Sequence, residues 1–365
     1  PVDTNLFPDG WQNLSPAMLP LAVQAAMAAI EKICPEARNL LVVPHNQPHT
    51  TSYLSHLAQL RRVFHMAGLN VRIGSIDPAI KKSTTIALPQ GESITLEPVV
   101  RTKGRIGVKD FDPCTILLNN DLGAGVPGIL EDLHEQHLLP PLHAGWTARR
   151  NSTHFKCYEE VAKRFGKLIG VDAWLFNPMF DKCGTVDLAT AEGKAQLALG
   201  VDALLLKIKK KYKEYGIKEK PFVVVKADNR SNGMGLISVR DSKELAGLQL
   251  PQSGAQLDII LQEGVLTHER INDAVAEPVV CMIDRYVVGG FYRVNTARGR
   301  DENLNCAGTH SPLLRSACLV PDNLDAETNK ADAENSPRSR LLRWRRASRS
   351  GRRRHPGRPR DQRGG

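Results

Sequence analysis

The chain has 365 residues, 41% apolar and 24% charged, enough for one large or two ordinary globular cores. Its formal charge of +10 is lodged at one end: residues 336–365 hold twelve Arg, no Lys and one acid, leaving 37 basic and 38 acidic side chains in 1–335. A body that near neutrality, with 5% aromatics overall, excludes a nucleic-acid surface spread over the fold, and no apolar run approaches the ~20 residues of a membrane-spanning helix.

The first residue is Pro, so the natural start is expected upstream. Ala17–Ile30 is apolar but short and lacks a basic leader, which predicts an amphipathic helix and not a signal peptide. Asn39–Pro44 reads as a buried strand, Ser52–Ala67 as a helix through Leu54, Leu57, Leu60 and Phe64, and Val71–Ile76 as a strand. Cys114–Asn119 is another strand, ending in Asn120 and Asp121. This alternation predicts an α/β layer with a largely parallel sheet, whose ligands sit past the carboxyl ends of the strands. Asn119, Asn120 and Asp121 are therefore candidates, although all are ordinary turn residues.

Gly123–Gly128 matches the spacing G-x-G-x-x-G. Pro127 interrupts the glycine turn and no acid follows about 20 residues on, so a simple turn is expected. His134 and His137, near Glu131 on an expected helix, have no third ligand at a suitable spacing and read as a solvated face. Arg149 and Arg150 precede an expected helix at Tyr158–Leu168. Their guanidinium forks suit a carboxylate or phosphate, and a solvated helix entrance explains them equally well. A further helix is expected at Ala203–Tyr215, with Gly216 as its stop. The seven Cys are scattered, odd in number and never C-x-x-C, which points to a reducing cytoplasm and against a zinc ribbon.

Pro221–Val239 carries the strongest chemical signal. An apolar strand, Phe222–Val225, delivers Lys226; a loop from Asp228 to Gly235 follows, then a strand at Leu236–Val239. The order suits a hairpin whose backbone N–H groups close over phosphates while the lysine neutralises them, and a plain β-hairpin has the same outline. Asp258–Val265 is expected as a strand ending in Gln262 and Glu263. Pro278–Arg285 and Tyr286–Asn295 are expected as two strands around a turn at Gly289-Gly290, with Arg293 on one face. Arg298, Arg300, Asp301, Glu302, Asn303 and Asn305 then group hard oxygen donors with arginines, as a Mg²⁺–triphosphate site requires.

Lys226 with its glycine loop, the Gln262–Val265 strand and the Arg293…Asn305 segment resemble the ATP-grasp order of elements. More narrowly, NNDLGAGVP, LPPLHAGW, KADNRSNGMG, AEPVVCMIDRYVVGGFYRVNT and DENLN resemble the proteobacterial-type glutamate–cysteine ligases, over roughly residues 15–330. The resemblance implies an N-terminal α/β layer followed by an ATP-grasp-like α+β nucleotide-binding region. It divides the chain into a substrate-side domain at 1–200, a nucleotide-binding domain at 201–320 and an Arg-rich tail at 321–365. It implies a cytoplasmic enzyme that takes ATP, Mg²⁺, L-glutamate and L-cysteine. Lys226 and Arg293 would be catalytic, Asn232, Gly233, Met234 and Gly235 would hold the phosphates, and Gln262, Glu263 and Val265 would face the adenine. Glu302 with Asn303 or Asn305 would hold the metal, with Asp284 as a further, weaker candidate. Apart from the resemblance, Asn120, Arg149 and Arg150 are unranked candidates for substrate contact.

Glutathione synthetase shares that nucleotide geometry and is the alternative among ligases; a nucleic-acid protein acting through the tail is the alternative outside them. Ser336–Gly365 departs from the family, which would place an apolar helix there. Its Arg/Pro/Gly/Ser mixture has the composition of a GC-rich gene read out of frame, and it is expected to be disordered.

Overall fold

A computed structural model describes residues 4–46, 49–229, 237–247, 257–296, 298–302, 304 and 314–318. The glycine loop, Asn303, Asn305 and the basic tail lie outside the described residues.

The N-terminal layer contains α1 (Leu19–Ile33), β1 (Asn39–Pro44), α2 (Thr51–Met66), β2 (Asn70–Ser75), β3 (Thr84–Ala87) and β4 (Ser93–Pro98). A small hairpin, β5 (Val100–Thr102) and β6 (Arg105–Gly107), leads to β7 (Thr115–Asn119) and β8 (His137–Leu139). The main sheet has the order β3-β4-β2-β1-β7-β8, parallel throughout except for β3 on β4. Successive side chains of a strand point to opposite faces, so a central strand covered on both sides must be apolar throughout. In β1, Leu40 and Val42 face the core built with Leu54 and Leu57 of α2, while Leu41 and Val43 join Phe7, Ile116 and Leu118 behind the sheet. His134 and His137 do not share a helix: residues 131–136 are irregular and His137 opens β8. The Asn and Asp after β7 make turns, as Asn120 Oδ1 accepts from Leu122 N at 3.0 Å and Asp121 Oδ1 from Gly123 N at 3.0 Å.

Helix α3 spans Asn151–Ile169 and starts seven residues before the expected point. Its first turn carries no side-chain cap of its own, so nothing local announces it. Helix α4 spans Ala191–Glu214 and also starts early, because Thr190 caps it by accepting from Gly193 N at 3.0 Å. The glycines that disguise this first half are required: a Cβ on Gly193 would lie 1.9 Å from the Asp187 carbonyl oxygen, and one on Gly200 2.8 Å from Leu261.

Against α4 lies an antiparallel sheet ordered β11-β10-β12-β9, made of β9 (Phe180–Val186), β10 (Val223–Ala227), β11 (Ile237–Val239) and β12 (Leu257–Glu263). Leu197, Val201, Leu204 and Ile208 of α4 pack on Val223, Val225, Ile259 and Leu261. The expected division at residue 200 falls within α4, and β9 pairs with β12 across it.

A third sheet, ordered β13-β14-β15-β16, comprises β13 (Arg270–Ile271), β14 (Ala274–Ile283), β15 (Tyr286–Asn295) and β16 (Leu314–Cys318). Here the expected turn is corrected. The chain reverses at Asp284-Arg285, where Ile283 pairs with Tyr286 and Asp284 takes φ 52. Gly289 and Gly290 lie inside β15, opposite Cys281 and Val280. Gly289 is needed there for close approach, because a Cβ would meet Met18 Sδ at 2.5 Å.

Candidate functional site

Along β10, Val223 and Val225 enter the core under α4, so by alternation Lys226 lies on the opposite face. Its ammonium sits 5.0 Å from the centre of the Phe155 ring of α3. Such a cation–π contact is an electrostatic attraction to the ring face and holds the charge in place. Val223 pairs with Val239, so Lys226 does stand at the root of an antiparallel hairpin.

Two residues on, Asp228 is fully buried. Its carboxylate accepts from Ser152 N and Ser152 Oγ, each at 2.6 Å, and its carbonyl oxygen accepts from Asn151 N at 2.8 Å. An anion is thus placed where the orphan N–H groups and positive dipole end of α3 favour it. This is the missing cap of that helix, supplied from across the fold. It pins the start of the loop that carries Asn232–Gly235, which is outside the described residues.

At the end of β12, Gln262 and Glu263 are both buried. The Glu263 carboxylate accepts from Trp174 Nε1 at 2.9 Å and Met179 N at 2.8 Å, so this side chain supports the 173–179 segment. Gly264 N donates to the Phe222 carbonyl at 2.8 Å, and Val265 is half-buried beside it. The chain through 262–265 is therefore held at both edges, a rigid border for any group lying along it.

The loop at 298–302 is stitched to both neighbouring elements. Thr267 N donates to Arg300 O at 2.8 Å, and the Arg300 guanidinium bonds to His268. Arg240, just after β11, pairs with Asp301, and Ser238 Oγ donates to Asp301 O at 3.3 Å. Hairpin, post-β12 segment and loop thus converge. The Arg240 guanidinium holds the Asp301 carboxyl below the usual carboxylate range, and the Gly299 N–H, then Arg298, do the same for Glu302. Magnesium takes hard oxygens, commonly one or two carboxylates with phosphate and water completing the shell. Glu302, ionised and with 44% of its side chain exposed, fits that role. Among the described residues no group of three His, Cys, Asp or Glu could hold a metal without other donors.

Arg293 lies opposite Glu277 and is ion-paired with it. Asp284 is elsewhere. It occupies the hairpin tip, where Lys32 donates to it at 3.0 Å; from Tyr286, where the strand begins, Arg293 is seven residues on, or roughly 24 Å at the usual rise. Arg149 lies over the Trp146 ring at 4.7 Å and donates to Thr4 O at 2.7 Å; Arg150 donates to its neighbour's carbonyl, Arg149 O, at 3.0 Å. Asn120 is buried past the carboxyl end of β7, beside the point where the strand order reverses between β1 and β7.

Sequence reasoning did not single out Asp228, Ser152 or Arg240. Asp228 carried one available signal, an acid directly after a lysine-bearing strand.

The glutamate–cysteine ligase family matches residues 1–339. The crystal structure of a candidate gamma-glutamylcysteine synthetase from Methylobacillus flagellatus KT superposes with a TM-score of 0.80 at 47% identity, covering 94% of this chain and 82% of that one. D-alanyl-alanine synthetase A from Vibrio cholerae O1 biovar eltor gives a TM-score of 0.40 at 11% identity over 84% and 81% of the two chains, too little for inference. No curated protein matches the chain.

Proposed function

The chain belongs to the glutamate–cysteine ligase family, and from that premise we propose how its own residues carry the family's reaction. It is an ATP-dependent ligase of α/β, ATP-grasp-like fold, acting in the first step of glutathione biosynthesis. A γ-carboxylate oxygen of L-glutamate attacks the γ-phosphorus of ATP; the bond to the bridging oxygen breaks, giving ADP and an acyl phosphate. The amine of L-cysteine then attacks the acyl carbon, loses a proton and expels phosphate.

Both steps build negative charge, so fixed cations and oriented N–H groups supply most of the help a protein can give. Lys226, held against Phe155 two residues before the buried Asp228, is our principal phosphate cation; Asn232–Gly235, the companion phosphate candidates, lie outside the described residues. Arg293, held by Glu277, is the second. The segment Gln262–Val265 borders the adenine through its backbone, because the Glu263 carboxylate is committed to Trp174 and Met179. Glu302, with Asn303 and Asn305, would hold Mg²⁺, which when bound neutralises phosphate charge. Asp284, remote at the hairpin tip and paired with Lys32, we assign to structure; Arg149 and Arg150 stay, like Asn120, as substrate-side candidates. No helix among the described residues is long and apolar enough to cross a membrane.

The observation that carries this reading is the family match over 1–339. Phosphate release from ATP tests it. Turnover should require L-glutamate, L-cysteine and Mg²⁺ together, and γ-glutamylcysteine should accumulate. Equal turnover without cysteine, or with γ-glutamylcysteine and glycine in their place, would refute it.

A further inference from the structure

Cys34 and Cys114 are 80 residues apart in the chain, yet their Sγ atoms lie 3.5 Å apart. Both are half-buried. Cys34 ends α1, its N–H donating to Ile30 O at 2.9 Å, and Cys114 immediately precedes β7. The pairing of Leu40 with Thr115 sets both at the amino-terminal edge of the main sheet, the end opposite Asn119–Asp121. The other described thiols are placed differently: Cys157 is exposed on α3, Cys183 is half-buried and Cys281 is buried in the α1–hairpin core.

Two sulfurs in van der Waals contact need to approach by about 1.5 Å to reach the ~2.05 Å of a disulfide. Cys34 is the last capping residue of its helix, where a side-chain rotation and a small backbone adjustment supply that movement without disturbing a strand. We propose that Cys34 and Cys114 form a redox-active dithiol that low-molecular-weight disulfides close into an intramolecular disulfide. The thiolate of one cysteine attacks the external disulfide, forming a mixed disulfide and releasing one small thiol. The second cysteine, losing its proton, then attacks the protein sulfur of that mixed disulfide and releases the other small thiol. Two protein thiols are oxidised and one small disulfide is reduced. This inference is independent of the nucleotide-site assignments. Burial first, then the neighbouring thiol, push the Cys34 thiol above its ordinary range, so exchange is slow at neutral pH and quickens as pH rises.

The bond would clamp the end of α1 to the sheet. That helix also carries Lys32, paired with Asp284, and the residue just before it, Met18, lies against Gly289, so the clamp acts on the element supporting the β14–β15 hairpin.

The experiment equilibrates the full chain with graded mixtures of reduced and oxidised glutathione, quenches with acid, alkylates free thiols and maps peptides. A cross-linked species joining Cys34 to Cys114, two hydrogens lighter than the reduced pair, should rise with the oxidised fraction. Closing a loop of this length constrains the unfolded chain, so the oxidised form should melt roughly 5 °C higher than the reduced form. Cys34→Ser should remove the cross-link and the gain in melting temperature, and Cys157→Ser should leave both. Absence of the Cys34–Cys114 species across the series, with only mixed disulfides at Cys157, would overturn the proposal. A cross-linked form that melts no higher than the reduced one would overturn the clamp on α1.

Discussion

Replacing Asp228 tests whether α3 and the lysine-bearing strand are one mechanical unit. Its carboxylate accepts two hydrogen bonds at 2.6 Å from Ser152 and is fully buried. Hydrogen bonds to a charged group contribute about 1.5–3 kcal/mol each, and an anion at a helix N-terminus up to about 2 kcal/mol more. Desolvation of the carboxylate offsets part of that sum. Asp228→Asn keeps one acceptor and the volume but loses the charge, which should cost about 2 kcal/mol. Asp228→Ala strands the Ser152 N–H and hydroxyl as well and should cost about 3–5 kcal/mol. Urea unfolding at fixed m measures this. With m near 3 kcal/mol/M, the alanine midpoint should fall by about 1 M or more. Ser152→Ala should weaken the protein by itself and add little on top of Asp228→Ala, giving a coupling energy above about 1 kcal/mol. An Asp228→Ala variant within about 0.5 kcal/mol of the parent, or strict additivity with Ser152→Ala, would show that the carboxylate does not cap α3.

Lys226→Ala should fold normally and lose about 10²–10³ in kcat, since a preorganised cation at developing phosphate charge is removed; near-normal turnover would leave the hairpin as architecture only. His56 is fully buried between Tyr53 and the Trp11 N–H, with Asp9 and His45 nearby, and burial brings its pKa down from 6.5 to about 4. The fold therefore favours neutral His56, while the unfolded chain takes up a proton below pH 6.5. Stability should be complete above pH 6.5 and fall by about 3 kcal/mol as pH approaches 4, and His56→Gln should flatten that limb of the pH–stability curve. Gly264→Ala would drive a Cβ to 2.1 Å from the buried Phe222 ring, so urea unfolding should register a loss of about 3 kcal/mol.

Periodicity along the chain was enough to locate β1, α2, β2 and β7 to within a residue or so at most ends, because a strand or helix advertises its buried faces within its own span. For the same reason the strand-plus-hairpin around Lys226 was legible, and the family motifs around it carried the assignment. Only the folded chain decided where the β14–β15 turn lies. A glycine pair looks like a turn in isolation, but Gly289 is there to admit Met18, and the reversal falls on Asp284-Arg285. Only the fold could set the start of α3, whose cap, Asp228, is 76 residues away from Ser152. The same holds for Glu263, which looked ligand-facing until Trp174 and Met179 came to it, and for Arg240, which reaches Asp301 across 61 residues. Side-chain faces are set by local geometry and can be read locally. Caps, tethers and close approaches depend on which distant groups arrive at the same place, and that is settled by packing.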